Sequence, residues 1–276
     1  MKNLSNAKML SYEEVVELLR GAQDEDLVLV GGQAVLIYAH LYHLEDIVTG
    51  VSGDLDLLGS VSSAKRYAAK FESMDSLRIA DLSDNTLNTA ILAVNLNALG
   101  SDPIIVDFIA NVGGLKAQEV SEHALQIDLS DGTVKVIHPF HLLQSKLHNI
   151  VHIPQKKTVQ GLRQLELTLK IAELYFEEIM SDSARLDRAK LNAAENLFAI
   201  LSCPDALEVN AIYGPVDLMR PIRENPPDVE FFKSTRLPQM TEFISRKTEE
   251  KNEFRIWQEN NTKTRSKKTK IGTIKF

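Results

Sequence analysis

The chain has 276 residues, 44% hydrophobic and 25% charged, an ordinary globular make-up with room for a sizeable core and two domains. No apolar run approaches the roughly 20 residues needed to cross a bilayer. The N-terminal MKNLSNAKMLSYEEVVELL carries acids where a secretory leader carries its apolar run, so a soluble, cytoplasmic protein with no membrane contact is expected.

A single cysteine, Cys203, excludes an internal disulfide and a thiolate-rich zinc site, and reads as a packed residue rather than a nucleophile. The net charge is −7 and uneven. Six of the 31 Lys and Arg fall in residues 261–276 with no acid among them, which leaves 25 basic residues against 38 acidic, or −13, for 1–260. The tail reads first as a solvated, flexible terminus, and second as a cationic segment able to meet RNA phosphates.

In chain order, SYEEVVELLRGA (11–22) predicts a helix with Ser11 as N-cap and Glu14 completing a capping box. Leu27–Val30 reads as a short buried strand stopped by Gly31-Gly32, and QAVLIYAHLYHL (33–44) as a helix. EDIVTGVSG (45–53) reads as a loop, and DLDLLG (54–59), alternating acid with leucine, as a strand with one polar face. SSAKRYAAKFESM (62–74) predicts a helix capped by Ser62 or Ser63. Residues 77–81, 89–96, 103–112 and 133–138 are strand candidates, and Ala117–Ala124 a short helix. Alternating strands and helices indicate an α/β (α+β) domain over residues 1–137.

From Pro139 the pattern turns helical, with helices expected at 141–153, 161–180 and 182–202 and a last one at Ser245–Phe254. Residues 221–240 hold four of the nine prolines and read as irregular. The expected organisation is a mixed-sheet α/β domain at 1–137, a helical domain at 138–260 and the basic tail at 261–276. Tyr38, Tyr42 and Trp257 could stack on bases, but core or interface burial is the preferred reading.

Chemistry concentrates in the carboxylates. On a strand, residues i and i+2 share a face, so Asp54 and Asp56 present two like charges side by side. Such a pair repels unless a cation sits between, and Mg²⁺ binds through one or two carboxylates plus substrate phosphates. Asp107, embedded in the apolar IIVDFIA (104–110), offers a third acid if its strand lies beside 54–58. A glycine pair between a strand and a helix lets backbone approach phosphates at a helix N-terminus. Surface acids at 54 and 56 and a structural acid at 107 are the alternative readings. His148 and His152 are four apart, a spacing that can bind zinc, but no Glu stands where a zinc-hydrolase motif needs one, so structural or substrate-contacting histidines are preferred.

The segments LVLVGGQAV (27–35), SGDLDLLGS (52–60), IIVDFI (104–109) and VIHPFHLLQSKLHNI (136–150) together resemble the nucleotidyltransferase superfamily, and within it the AbiEii-type toxin-like enzymes. The resemblance implies a bilobal enzyme that uses Mg²⁺, two ions, to transfer NMP from an NTP such as ATP to an acceptor hydroxyl. That acceptor is tRNA or another RNA, or a small molecule of the antibiotic type, and an antitoxin protein is an implied partner. By the same resemblance Asp54, Asp56 and Asp107 ligate metal and carry catalysis, with Asp107 as ligand or general base. Gly31 and Gly32, flanked by Gln33 and with Ser52 ahead of the acids, hold the nucleotide, and Lys146 contacts its triphosphate. The stretch from Gly32 to Asp54 is longer than the commoner pattern, and Glu166 is the nearest counterpart of an acid that some relatives carry after the lysine. An inert scaffold that keeps the fold without turnover is the rival from outside enzymology.

Overall fold

The computed structural model describes residues 9–23, 25–44, 53–81, 86, 88–96, 103–130, 132–213 and 217–271, with the backbone alone beyond 258. The chain divides into two compact units, Met1–Tyr175 and Phe176–Phe276.

In the first unit, α1 (Tyr12–Leu19) starts at Ser11, whose Oγ accepts from Glu14 N at 3.2 Å while the Glu14 carboxylate accepts from Ser11 N at 2.9 Å. This is the expected capping box, which satisfies two orphan helix donors at once. Strand β1 (Val28–Val30) runs straight into α2 (Gly31–Leu41), so the glycine pair begins the helix instead of preceding it. Then follow β2 (Asp54–Leu58) and α3 (Val61–Lys70), capped by Ser60 and not by Ser62 or Ser63: Ser60 Oγ accepts from Ser63 N. The remaining strands are β3 (Leu77–Ile79), β4 (Asn88–Val94), β5 (Ile104–Ile109), β6 (Leu125–Leu129) and β7 (Gly132–Val136), with α4 (Ala117–His123) between β5 and β6. The loop expected at 45–53, and with it Ser52, lies outside the described residues except for Gly53.

The seven strands form one mixed sheet in the order β3-β4-β5-β2-β1-β7-β6. β1 runs antiparallel to β2 and parallel to β7, and β2 runs parallel to β5. Strand β6 was not anticipated: LQIDL follows a helix directly and its polar residues 126 and 128 are exposed, so it carries little apolar signal. Leu55 and Leu57 of β2 and Val106 and Phe108 of β5 are fully buried. Each is worth about 1.5–3 kcal/mol in that position. A one-residue slip would expose them and bury the alternating acids, so this register is strongly specified. Tyr38 belongs to the same core, its hydroxyl donating to Ile137 O at 2.8 Å, which is a packing role.

Helix α5 (Pro139–His152) begins with Pro at its first position and His138 as N-cap, the His138 Nδ1 accepting from Phe140 N at 3.1 Å. It packs on α2, and α6 (Val159–Ser181) follows after a single turn of 3₁₀ helix at Pro154–Lys156. The chain therefore divides later than the change of pattern at residue 138 suggested, because α5 and most of α6 are part of the unit that holds the sheet.

The second unit contains α7 (Asp187–Leu201), α8 (Pro204–Tyr213), α9 (Arg220–Glu224) and α10 (Leu237–Ile271). Residues 221–240 are largely helical, which corrects the expectation of an irregular stretch. Pro221 stands in the first turn of α9, where the missing N–H is no loss, and Pro238 follows directly on a π-helical turn at Phe232–Arg236, an irregularity that leads without a break into α10. Arg236 pairs bidentately with Glu195 at 2.7 Å and lies over the Phe198 ring. Helix α10 is far longer than the expected Ser245–Phe254 and carries its backbone through the basic stretch to Ile271. Cys203 is half-buried, accepts from Ala206 N, and burial pushes its thiol up, as suits a packed residue. Among the described residues no helix is long and apolar enough to cross a membrane.

Candidate active site

The site is assembled by the three central strands. Parallel pairing of β2 with β5 sets Asp54 opposite Ile105 and Asp56 opposite Asp107. With side chains alternating, all three acids emerge on the face opposite Leu55, Leu57, Val106 and Phe108. Their carboxylate oxygens lie within 4.8 Å of one another. Burial first, then Asp54 and Asp107, push the Asp56 carboxyl up to about 6, against the opposing pull of Lys146 and Lys156. Burial and Asp54 also raise Asp107. Asp56 and Asp107 thus resist ionisation in each other's company, the state that a bound cation relieves.

Antiparallel pairing of Val30 with Asp56 brings the end of β1 against the same carboxylates. Gly31 has φ +69°, in the left-handed region, and a Cβ there would overlap the Asp56 carboxylate. Glycine is required at 31 on both counts. Gly31 and Gly32 form the first turn of α2 and line a cavity of about 230 Å³ together with Asp54 and Asp56. Gln33 is fully buried, and its amide donates to Asp54 O at 3.3 Å, steadying the start of β2. Asp107 lies outside the cavity lining, hydrogen-bonded to Asn88, which is in it.

The facing wall comes from α5 and the start of α6. Lys146 is buried, and its Nζ donates to Gln164 Oε1 at 3.1 Å. Burial and then Lys156 hold its ammonium down to about 8, while Asp56 and Asp54 act in the opposite sense. Lys156, on the turn between α5 and α6, completes the wall. Gly161 lets α6 start against this turn, since a Cβ there would overlap the Lys156 carbonyl. Acids on one side and two cations on the other suit a ligand that carries phosphates and shares a divalent ion with the protein.

Of the expected residues, the structure brings together Asp54, Asp56, Asp107, Gly31, Gly32 and Lys146. Gln33 supports β2 from behind, and Ser52 lies outside the described residues. Glu166 is exposed and off the cavity, whereas Gln164, two positions earlier, lines it. Asn88, Lys156 and Gln164 were missed. Lys156 sits in a basic Lys-Lys pair that looks like any solvated turn, and the other two carry no charge to draw notice. The rings of His148 and His152 lie 4.2 Å apart, tilted by 34°, and His148 lies against Gly113 and Gly114. Burial, then His141 and His123, lower the capping His138 to about 4, so it is neutral near pH 7.

No family model matches the chain. No curated protein matches it either. Among solved structures it is similar to an antigenic nucleotidyltransferase-like protein from Paracoccidioides brasiliensis, at 14% identity and a TM-score of 0.39, over 59% of this chain and 79% of that one. A likeness so distant leaves the function to the geometry of the site itself.

Proposed function

We propose that the chain is a metal-dependent nucleotidyltransferase, moving an NMP group from an NTP to an acceptor hydroxyl. The observation that carries the proposal is the pairing of Asp56 with Asp107, which gathers three carboxylates within 4.8 Å in front of a buried lysine. The donor set is all oxygen, preassembled and too crowded to be comfortable without a cation, which fits Mg²⁺. Asp54, Asp56 and Asp107 would hold one or two such ions, whose chemistry is to polarise the phosphoryl oxygens and stabilise the leaving pyrophosphate.

The chain's own residues supply the rest. The N–H groups of the first turn of α2 would donate to phosphate oxygens, which Gly31 and Gly32 would let approach the backbone. Lys146 and Lys156 balance the charge of the triphosphate. Asp107, the third acid, serves either as a further ligand or as the general base that takes the proton from the acceptor hydroxyl as that oxygen attacks.

The acceptor we favour is RNA, tRNA included, with the acid-free segment 261–276 meeting its phosphates. The AbiEii resemblance extends this to a growth-arresting toxin held in check by an antitoxin protein. The charge of −13 on residues 1–260 supports a second reading, transfer to a cationic small molecule. The test is incubation with each α-labelled NTP, Mg²⁺ and total cellular RNA, beside an Asp54→Ala/Asp56→Ala control. Label on RNA from the wild type alone supports the first reading. Label only on small acceptors supports the second, and no label on either leaves an inert scaffold. Removing residues 261–276 should sharply lower transfer to RNA and spare transfer to small molecules. Growth arrest by the wild type but not by Asp54→Ala is the expectation for a toxin.

A further inference from the structure

Strand parity sets Asn88 apart. In β4, Ile91 and Ala93 pair with Asp107 and Ile105 and share their face, while Ala90, Leu92 and Val94 are buried on the other. Regular alternation continued backwards from Ile91 would place Thr89 on the carboxylate face and turn Asn88 into the core. The structure does otherwise. The register shifts between Asn88 and Ala90, so that Ala90 pairs with Phe108 and Asn88 with Ile109, leaving Thr89 as an inserted residue. Thr89 Oγ1 donates its one proton to Phe108 O at 3.1 Å, with Gly59 O at 3.4 Å as the alternative acceptor, which ties the extra residue down. The result is a β-bulge that moves Asn88 onto the face of the acids, a device sheets use beside functional sites to re-aim a side chain.

Asn88 Nδ2 donates to Asp107 Oδ1 at 3.0 Å, and Asn88 lines the cavity with Asp54 and Asp56. We infer that Asn88 is a positioning residue for the metal centre, holding the Asp107 carboxylate turned toward Asp54 and Asp56. The inference rests on reading the three acids as cation ligands. A fixed donor on Oδ1 stops rotation about the Cβ–Cγ bond and leaves Oδ2 to converge on the ion. A neutral amide does this without adding a fourth negative charge to three acids already crowded together. Hydrogen-bond partners of metal-ligating carboxylates commonly govern affinity in this way.

The test is Mn²⁺ binding to the full chain, followed by the electron paramagnetic resonance signal of the free ion. Wild type is compared with Asn88→Ala, Asn88→Leu, Asp107→Ala, the Asn88→Ala/Asp107→Ala double variant and Asp54→Ala/Asp56→Ala. Circular dichroism confirms the fold of each. Ala and Leu remove the same donor with different bulk, so a packing fault in one leaves the other informative. Each Asn88 variant should bind Mn²⁺ about tenfold more weakly or worse. In the Asp107→Ala background, Asn88→Ala should cost nothing further. Wild-type affinity in a folded Asn88 variant overturns the inference. An equal loss in the Asp107→Ala background also overturns it, by giving Asn88 a role independent of Asp107. A wild type that binds Mn²⁺ no better than Asp54→Ala/Asp56→Ala defeats the ligand reading of the acids, and this inference with it. That outcome is distinct from a tight-binding wild type that the Asn88 variants match.

Discussion

Asp56→Asn should stabilise the metal-free protein while destroying its capacity to hold a cation. The Asp56 carboxyl is raised from the ordinary 3.8 to about 6 by burial and by Asp54 and Asp107. Ionising it in the fold rather than in the unfolded chain therefore costs about 3 kcal/mol. The folded value is the higher one, so protonation favours the fold. The penalty is absent well below pH 3.8, grows as pH rises, and is complete above about 6. At pH 5 the same relation gives roughly half of that. The neutral amide of Asn escapes the penalty at every pH. For a unit of this size, 3 kcal/mol corresponds to about 6–12 °C in melting temperature. His138 titrates across the same window with the opposite sign, so variant and wild type must be compared at each pH. Melts in EDTA at pH 5 and pH 7.5 should show Asp56→Asn ahead by a margin that roughly doubles at the higher pH. Added Mn²⁺ should raise the wild type and leave the variant unmoved. A variant no more stable than wild type at pH 7.5 in EDTA would refute the claim that the crowded acids store unfavourable charge.

The neutral His138 cap makes α5 acid-sensitive: its folded value, about 4, lies below the ordinary 6.5, so its contribution is whole above pH 6.5 and is lost as pH falls toward 4. His138→Asn, a cap that does not titrate, should flatten the loss of melting temperature between pH 6.5 and 4.5 relative to wild type. Gly31→Ala meets both a left-handed φ and the Asp56 carboxylate. It should cost roughly 1–3 kcal/mol in thermal unfolding and displace Asp56 enough to abolish the Mn²⁺-induced rise. Lys146→Met should leave a folded protein whose KM for NTP in the labelled-transfer assay rises on the order of tenfold, with a smaller change in kcat, as the loss of a charged hydrogen bond to phosphate predicts. An unchanged KM would remove Lys146 from the nucleotide site.

Local pattern and composition determined a good part of this protein. Period-two alternation in DLDLL put Asp54 and Asp56 on one face, the apolar setting of Asp107 marked it as a strand acid that needs a partner, and Ser11 with Glu14 announced the first helix. Each of these depends on residues within a few positions of one another, where backbone geometry alone decides. Tertiary structure decided what sequence distance conceals. Sheet order makes β2 and β5 neighbours and sets Asp56 beside Asp107, although 50 residues separate them. The packing of α5 on α2 brings Lys146 to face the acids, and the turn that follows adds Lys156. The need for glycine at 31 comes from the carboxylate of Asp56 across the sheet, beyond any local turn. Asn88 is the clearest case. Alternation along β4 would hide it in the core, and only the pairing of that strand with β5, with one residue too many, delivers its amide to Asp107. A bulge belongs to two strands at once, and for that reason neither strand's sequence displays it.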